Sequence, residues 1–403
     1  MKMEKIIAAA SLLSLVVTPV LAKEFVLSDA AMGKDVGDWS ITSKDLGIVT
    51  EFSVSQKVLH GGKQEGVRVI DINNGVMQIR LIPTRGMDIA KVKSDDIVLG
   101  WDSPVKEIVN PAYIDLESRN GLGWLDGFNE MMVRCGYEWT GHPGKDGDYL
   151  LSLHGRAGNT PASKVIVDID EKAPYSISVK GVVYEKTFKF NNYQVWTEFL
   201  VVPGVKSFSI HDELTNLSDY DNEYQIIYHS NFGRPLLEEG ALFEAAVQEV
   251  SPFNNYAAKQ MATWNAYASP LKGYDETVYN IKPYSNARNE SMAVLHNAAA
   301  DKGVSVLFNI NQLPVLTMWK NTDTDKQGYV TGIEPGTSYA YNRTYQRKLG
   351  LVPTIKGGES KKFDLTYTIL DSADAMSKAQ AEIKAIQAGR EMKILDKPLV
   401  KLP

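Results

Sequence analysis

The chain has 403 residues, 44% hydrophobic and 23% charged, and its 43 Lys and Arg against 49 Asp and Glu leave a formal charge of −6. These proportions exclude collagen-like, disordered and multi-span membrane chains, and a mildly acidic balance whose longest basic runs are pairs such as Lys361-Lys362 argues against nucleic acid as a partner. The one cysteine, Cys135, excludes an internal disulfide, an iron–sulfur site and a cysteine-based zinc site; with no His evident beside it, it reads as a buried thiol rather than a nucleophile.

Residues 1–22 carry Lys2 and Lys5, an apolar run from Ile6 to Val17, and Val20-Leu21-Ala22 before the polar Lys23-Glu24. A short charged head and an apolar core too short to span a bilayer comfortably predict a secretory signal peptide. The mature protein is therefore expected to be periplasmic or secreted, without a stable membrane anchor. Residues 23–45 lack strong periodicity and are expected to form an N-terminal arm. Next, Val67-Arg68-Val69-Ile70-Asp71-Ile72, the turn Asn73-Asn74-Gly75 and the run from Val76 to Ile82 predict a hairpin, because Asn and Gly take positive φ cheaply. Similar runs recur at 164–169, 175–184, 193–202, 207–214, 223–229, 304–310, 315–319 and 363–370, broken by turn clusters such as Val202-Pro203-Gly204. Helical spacing of Ala, Met, Ile and Leu is convincing only over 373–395. With no linker in sight, the pattern predicts an all-β protein. It reads as one antiparallel two-sheet sandwich over 46–403, with the C-terminal helix packed outside the sheets.

Four segments are richer in polar, aromatic and glycine residues than strand ends require. In Ile82-Pro83-Thr84-Arg85-Gly86-Met87-Asp88-Ile89, Arg85 and Asp88 either face a cleft together or close a bulged strand as an ion pair. The stretch from Gly121 through Trp124 and Phe128 to Arg134, and on to Leu153-His154-Gly155-Arg156, suits a sugar, whose C–H faces stack on rings while its hydroxyls take hydrogen bonds. There Trp124 and Phe128 fit core filling at least as well, whereas His154 and Arg156 fit function better. His229, ending an apolar strand before Ser230-Asn231-Phe232-Gly233, is either a hydrogen-bonded structural residue or a general acid. Glu334, before Pro335, is either a turn glutamate or a desolvated and hence more basic carboxylate.

Among six histidines no His-x-x-x-His or His-Glu-x-x-His pair occurs, and nucleophile-elbow and phosphate-loop motifs are absent, so neither a metal nor a cofactor is expected. A histidine acid and a glutamate base remain, a pairing that suits proton transfer without a cofactor.

Together, Ile82-Pro83-Thr84-Arg85-Gly86-Met87-Asp88, residues 121–128, Leu153-His154-Gly155, His229-Ser230-Asn231-Phe232-Gly233, Leu313-Pro314-Val315-Leu316 before Trp319-Lys320, and Gly332-Ile333-Glu334-Pro335 resemble the aldose 1-epimerase superfamily of galactose mutarotase-like supersandwich proteins. The resemblance is greatest to its bacterial aldose 1-epimerase-related branch and runs from the first hairpin to about Leu370. It implies an antiparallel β-supersandwich acting on a carbohydrate, with Glu334 taking the proton of the anomeric hydroxyl and His229 giving one to the ring oxygen. His154 would bind substrate, together with Arg156, Arg85, Asp88, Asn231, Arg134, Trp319 and Lys320. The sequence departs from the superfamily's Asn-His-Thr-Tyr-Phe context, carrying Tyr228-His229-Ser230-Asn231-Phe232 instead. Arg85 with Asp88, Arg119-Asn120 or Arg134 stands in for its early Asn-Arg pair and its anchoring Asp. Arg85, Arg156 and Lys320 would also suit an anionic sugar. Two other functions fit the same residues: a lyase or different epimerase acting on a modified sugar, and a noncatalytic carbohydrate-binding protein.

Overall fold

The computed structural model describes residues 22–402, so the expected signal peptide, all but Ala22, lies outside the described residues. Alternating β-branched and aromatic residues build two broad sheets, one of ten strands and one of thirteen. Among the described residues, strands pair antiparallel apart from a short parallel contact between Glu249-Val250 and Lys393-Ile394, and Gly136 makes a single parallel bridge to Gly155. The inward faces of the two sheets share one apolar cluster, in which Val195, Ile210 and Tyr367 of the first meet Ile226, Tyr228 and Ile333 of the second.

The hairpin forms at Arg68–Asn73 and Gln78–Ile82, in register Asn73 to Gln78 and Ile70 to Leu81. Gly75 turns the chain at φ 92°, and the Asn74 carboxamide is tied down at both ends: its oxygen accepts from the Met77 N–H and its nitrogen donates to the carbonyls of Val202 and Val205.

Two boundaries differ from the sequence reading. Residues 23–45 do not form an arm: Ala22–Asp29 is a strand of the ten-stranded sheet, paired antiparallel with Lys164–Asp170, and Trp39–Thr42 edges the other sheet. Their periodicity is weak because strands at or near a sheet edge bury few side chains, here Leu27 and Asp29 in the first of them. The helix ends at Gln387 rather than 395, since Ala388 (φ 51°) and Gly389 (φ 70°) enter the left-handed region that closes helices. Ser372 caps its start, accepting from the Ala375 N–H, and Met376, Ala379, Ile383 and Ile386 pack against Met292, Val294 and Leu370. Each large apolar side chain so buried contributes about 1.5–3 kcal/mol.

Candidate active site

Strand side chains alternate between faces. In Gln225–Phe232, Ile226, Tyr228 and Phe232 enter the inter-sheet core, while Ile227 joins a second cluster with Trp124, Phe128 and Val133 on the outer face of the thirteen-stranded sheet. His229 shares the parity of Ile227. In Val330–Gly336, Ile333 points inward and Glu334 outward; in Val315–Asn321, Leu316 and Met318 point inward, Thr317 and Trp319 outward. The register pairs Thr317 with Glu334 and Ser230 with Ile333, which sets His229 beside Glu334.

His229 Nε2 lies 3.3 Å from Glu334 Oε1, with both side chains almost fully buried. Neither Glu334 oxygen nor His229 Nδ1 has a hydrogen-bond partner among the described residues. Gly332 makes the approach possible: a Cβ there would sit 2.5 Å from Glu334 Oε1 and 3.3 Å from His229 Cε1. Around the pair is a cavity of about 110 Å³ that also takes in Trp124, Phe128, His142, His154, Glu276 and Trp319. The rings form a continuous wall, His229 lying 5.2 Å from His154, 5.4 Å from Phe128 and 5.6 Å from Trp319 between centroids.

His154 reaches the cavity through an unusual backbone. At φ 59° it is held by its own N–H donating to the Gly141 carbonyl and by its carbonyl accepting from Gly136, and Thr140 Oγ1 stands 3.5 Å from its Nδ1. Its neighbour must be glycine, because a Cβ at Gly155 (φ 74°) would lie 2.3 Å from the Trp139 carbonyl.

Burial dominates the electrostatics. It holds the Glu334 carboxyl well above the usual carboxylate range, with a smaller push from Glu276, and drives His229 down to about 4. His154 is held well below the ordinary histidine range by the same desolvation, and His142 falls to about 4. Glu276 is raised by burial while its Oε2 accepts from Trp319 Nε1 at 2.8 Å. Burial thus favours the uncharged form of each of these groups, and sets a carboxyl and an imidazole 3.3 Å apart.

Of the predicted residues, His154, His229, Trp319 and Glu334 converge here, and the others are placed differently. Arg85 is fully buried, donating to Glu130 at 2.5 Å and to Asn159 and the Val109 carbonyl at 3.1 Å. Its expected partner Asp88 instead accepts from the Arg134 N–H, and burial raises its carboxyl to about 8. Arg134 has the parity opposite to Val133 and Cys135, so it points between the sheets, where it grips Asp212 through Nε at 2.6 Å and Nη2 at 3.0 Å. Lys320 likewise shares the inward parity of Met318, and its ammonium donates to the carbonyls of Thr263 and Ala266; burial lowers it to about 8. The Asn231 amide donates to the carbonyls of Glu130 and His229. Arg156 lies over the Trp139 ring at 4.6 Å, close to Glu138, outside the cavity lining. Cys135 is buried, and desolvation pushes its thiol up. Sequence reasoning missed Glu276 and His142: neither belongs to a motif, and the one available signal was the carboxylate directly before the β-rich run at 277–283. Among the described residues no group of three His, Cys, Asp or Glu is placed to hold a metal ion.

Two wide antiparallel sheets with a ring-walled, acid-bearing cavity on the outer face of one make this a galactose mutarotase-like supersandwich. A crystallised protein from Klebsiella pneumoniae subsp. pneumoniae, provisionally named an aldose 1-epimerase, is 52% identical, with a TM-score of 0.93 over 94% of this chain and 100% of that one. A galactose mutarotase-like protein from Clostridium acetobutylicum (14% identity, TM-score 0.54, 79% of this chain and 98% of that one) shares the fold. So does a galactose mutarotase related enzyme from Lactobacillus acidophilus (16%, TM-score 0.50, 76% and 98%). No protein of curated function matches. Residues 64–369 match the family described as Domain of unknown function (DUF4432), and the chain belongs to that family, within the aldose 1-epimerase superfamily.

Proposed function

We propose that this protein is an exported aldose 1-epimerase-like isomerase that interconverts the anomers of a reducing sugar. The observation that carries the reading is the buried, otherwise unpartnered His229–Glu334 pair at 3.3 Å in a cavity walled by Trp124, Phe128 and Trp319. Export rests on the character of residues 1–22.

Ring opening requires a proton removed from the anomeric hydroxyl and one delivered to the ring oxygen; rotation about C1–C2 and reclosure then give the other anomer. One proton held by the pair suffices. With it on His229, the imidazolium protonates the ring oxygen as the Glu334 carboxylate takes the hydroxyl proton, so the pair ends with the proton on Glu334 and repeats the exchange in reverse on closure. Burial favours that second state, and the hydroxyl and ring oxygen of the sugar supply hydrogen bonds that Glu334 and His229 do not find among the described residues. Glu276 and His154 line the same cavity and are given the role of orienting the remaining hydroxyls, and the rings that of covering a C–H face.

The test is anomer exchange followed by NMR on neutral, acidic and sulfonated reducing sugars. Glu334→Gln and His229→Asn are each expected to lower turnover by about 10²–10⁴-fold with the fold retained. Full activity in both variants refutes the assignment, and a stable unsaturated product would mark a lyase instead.

A further inference from the structure

The outer face of the thirteen-stranded sheet carries a second, larger concavity, of about 620 Å³, over Ser53–Val58, Arg68–Asn73, Gln78–Ile82 and Asp88–Ser94. Its floor is a polar grid fixed by strand register. One row crosses four strands as Ser53, Asn73, Gln78 and Lys93; the next runs Ser55, Asp71, Arg80 and Lys91. Neighbouring strands lie 4.7–4.9 Å apart, so each row spans about 14 Å. A structural sheet face without a covering layer needs polar side chains, but it does not need a bordering segment, and this one has one. Residues 101–109 lie along the grid, pinned by Asn129, whose amide donates to the carbonyls of Val105 and Glu107 at 3.0 and 2.7 Å, and by Ser103 Oγ donating to the Phe128 carbonyl.

Charge and position together identify the occupant. The lining carries Arg80, Lys91, Lys93 and Lys106 against Asp71 and Asp102, a cationic excess on a chain whose net charge is −6. Arg80 is spent on Asp71 and Lys106 on Asp102, while Lys91 and Lys93 are exposed and enter no ion pair among the described residues. The groove ends at Trp101, whose ring lies 4.9 Å from Phe128, itself 5.4 Å from His229. The Trp101 and Phe128 rings, inclined at 50° to each other, thus lie between an open, hydrogen-bonding, cation-bearing groove and the candidate active cavity, on one face of one sheet.

We infer that this groove binds the acidic units of an oligosaccharide whose reducing end enters the His229–Glu334 cavity. Alternating Ser, Asn and Gln side chains take the hydroxyls, and Lys91 and Lys93 take carboxylate or sulfate groups. The inference deepens the function proposed above and rests on it for the choice of a sugar as occupant.

Calorimetric titration of the full chain with tetragalacturonate, a mannuronate tetrasaccharide, a sulfated tetrasaccharide, the corresponding monosaccharides and neutral maltotetraose tests it. At least one acidic tetrasaccharide is expected to bind about tenfold or more tighter than its monomer and than maltotetraose, and to weaken as salt rises. Lys91→Glu/Lys93→Glu should raise its Kd by about tenfold or more, and the milder Lys91→Gln/Lys93→Gln by less, with unchanged melting temperatures showing that both fold. Calorimetry reads binding whether or not turnover occurs, so the two proposals fail separately. Lysine-dependent tetrasaccharide binding without anomer exchange keeps the groove and removes the isomerase. Three outcomes overturn the groove: anomer exchange with no chain-length gain, equal affinity for maltotetraose, or lysine-dependent binding of a single-stranded oligonucleotide with none of the acidic saccharides.

Discussion

Gly332→Ala adds one methyl group against the His229–Glu334 pair and nothing else. Ordinary van der Waals contact begins at 3.4 Å, so a Cβ placed 2.5 Å from Glu334 Oε1 must displace the carboxylate by roughly 0.9 Å; His229 Cε1 and Trp319 Cε3, at 3.3 Å, barely move. The carboxylate gives way cheaply because neither of its oxygens is held by a hydrogen bond among the described residues. Misplacing a reacting group by an ångström costs about 10²-fold in rate, or about 2.7 kcal/mol in the barrier. Stability moves the other way or not at all, since Ala is better than Gly in a strand interior by about 0.5–1 kcal/mol. The expected variant therefore folds at least as well as the parent but exchanges anomers about a hundredfold more slowly. Line-shape or exchange NMR on the best sugar of the panel, beside a urea melt, reads both. A variant within about threefold of the parent rate would refute the claim that the geometry of the 3.3 Å pair sets the rate.

Glu334→Gln also tests the electrostatics without any substrate. Because burial raises the carboxyl above its unfolded value of 4.5, the native state holds a proton that the unfolded chain gives up; the parent's stability therefore falls as pH rises above 4.5, and a glutamine escapes that loss. Urea melts at pH 5 and pH 8 should show the variant gaining on the parent at the higher pH, whereas parallel profiles would mean that Glu334 is ionised in the native state. Arg134→Met leaves Asp212 buried with only the Tyr228 hydroxyl for company and is expected to cost about 3–5 kcal/mol by urea denaturation; a loss under about 1 kcal/mol would contradict the inter-sheet role given to Arg134.

Strand content, the Asn74-Gly75 hairpin and the existence of the C-terminal helix were legible because each rests on local chemistry: β-branched alternation, positive φ and helical spacing. Facing was not. In a strand buried on both sides, such as Gln225–Phe232, nearly every side chain is enclosed, so hydropathy loses its period and says nothing about which parity faces the site. Arg134 and Lys320 were grouped with His229 and Glu334 as polar residues in promising segments, yet each sits one residue out of phase with the outer face and is spent inside the sandwich. The parity of Lys320 with Leu316 and Met318 was readable, but only once those two residues were known to face the other sheet. His142 and Glu276 come from segments distant in sequence, and only the fold brings them together.

Burial alone does not separate structural charges from candidate catalytic ones here, and neither does a single unpartnered atom, since Arg85 Nη2 and Asp88 Oδ2 lack partners on side chains bonded elsewhere; a carboxyl with both oxygens free of hydrogen bonds among the described residues stands apart. Asp212 and Glu130 are as buried as Glu334, but Asp212 receives both Arg134 donors and the Tyr228 hydroxyl, and Glu130 receives Arg85 Nε and the Asn129 N–H. Glu334 receives none among the described residues, nor does His229 Nδ1 beside it. An unsatisfied buried polar atom costs about 1–3 kcal/mol. Folding alone gives no reason to leave three such atoms on two adjacent side chains, when a hydrophobic pair of the same volume would fill the space. A ligand offering one hydroxyl and one ether oxygen side by side, as the anomeric centre of a cyclic sugar does, would recover that free energy on binding, which is the physical ground for the proposed roles of the two groups.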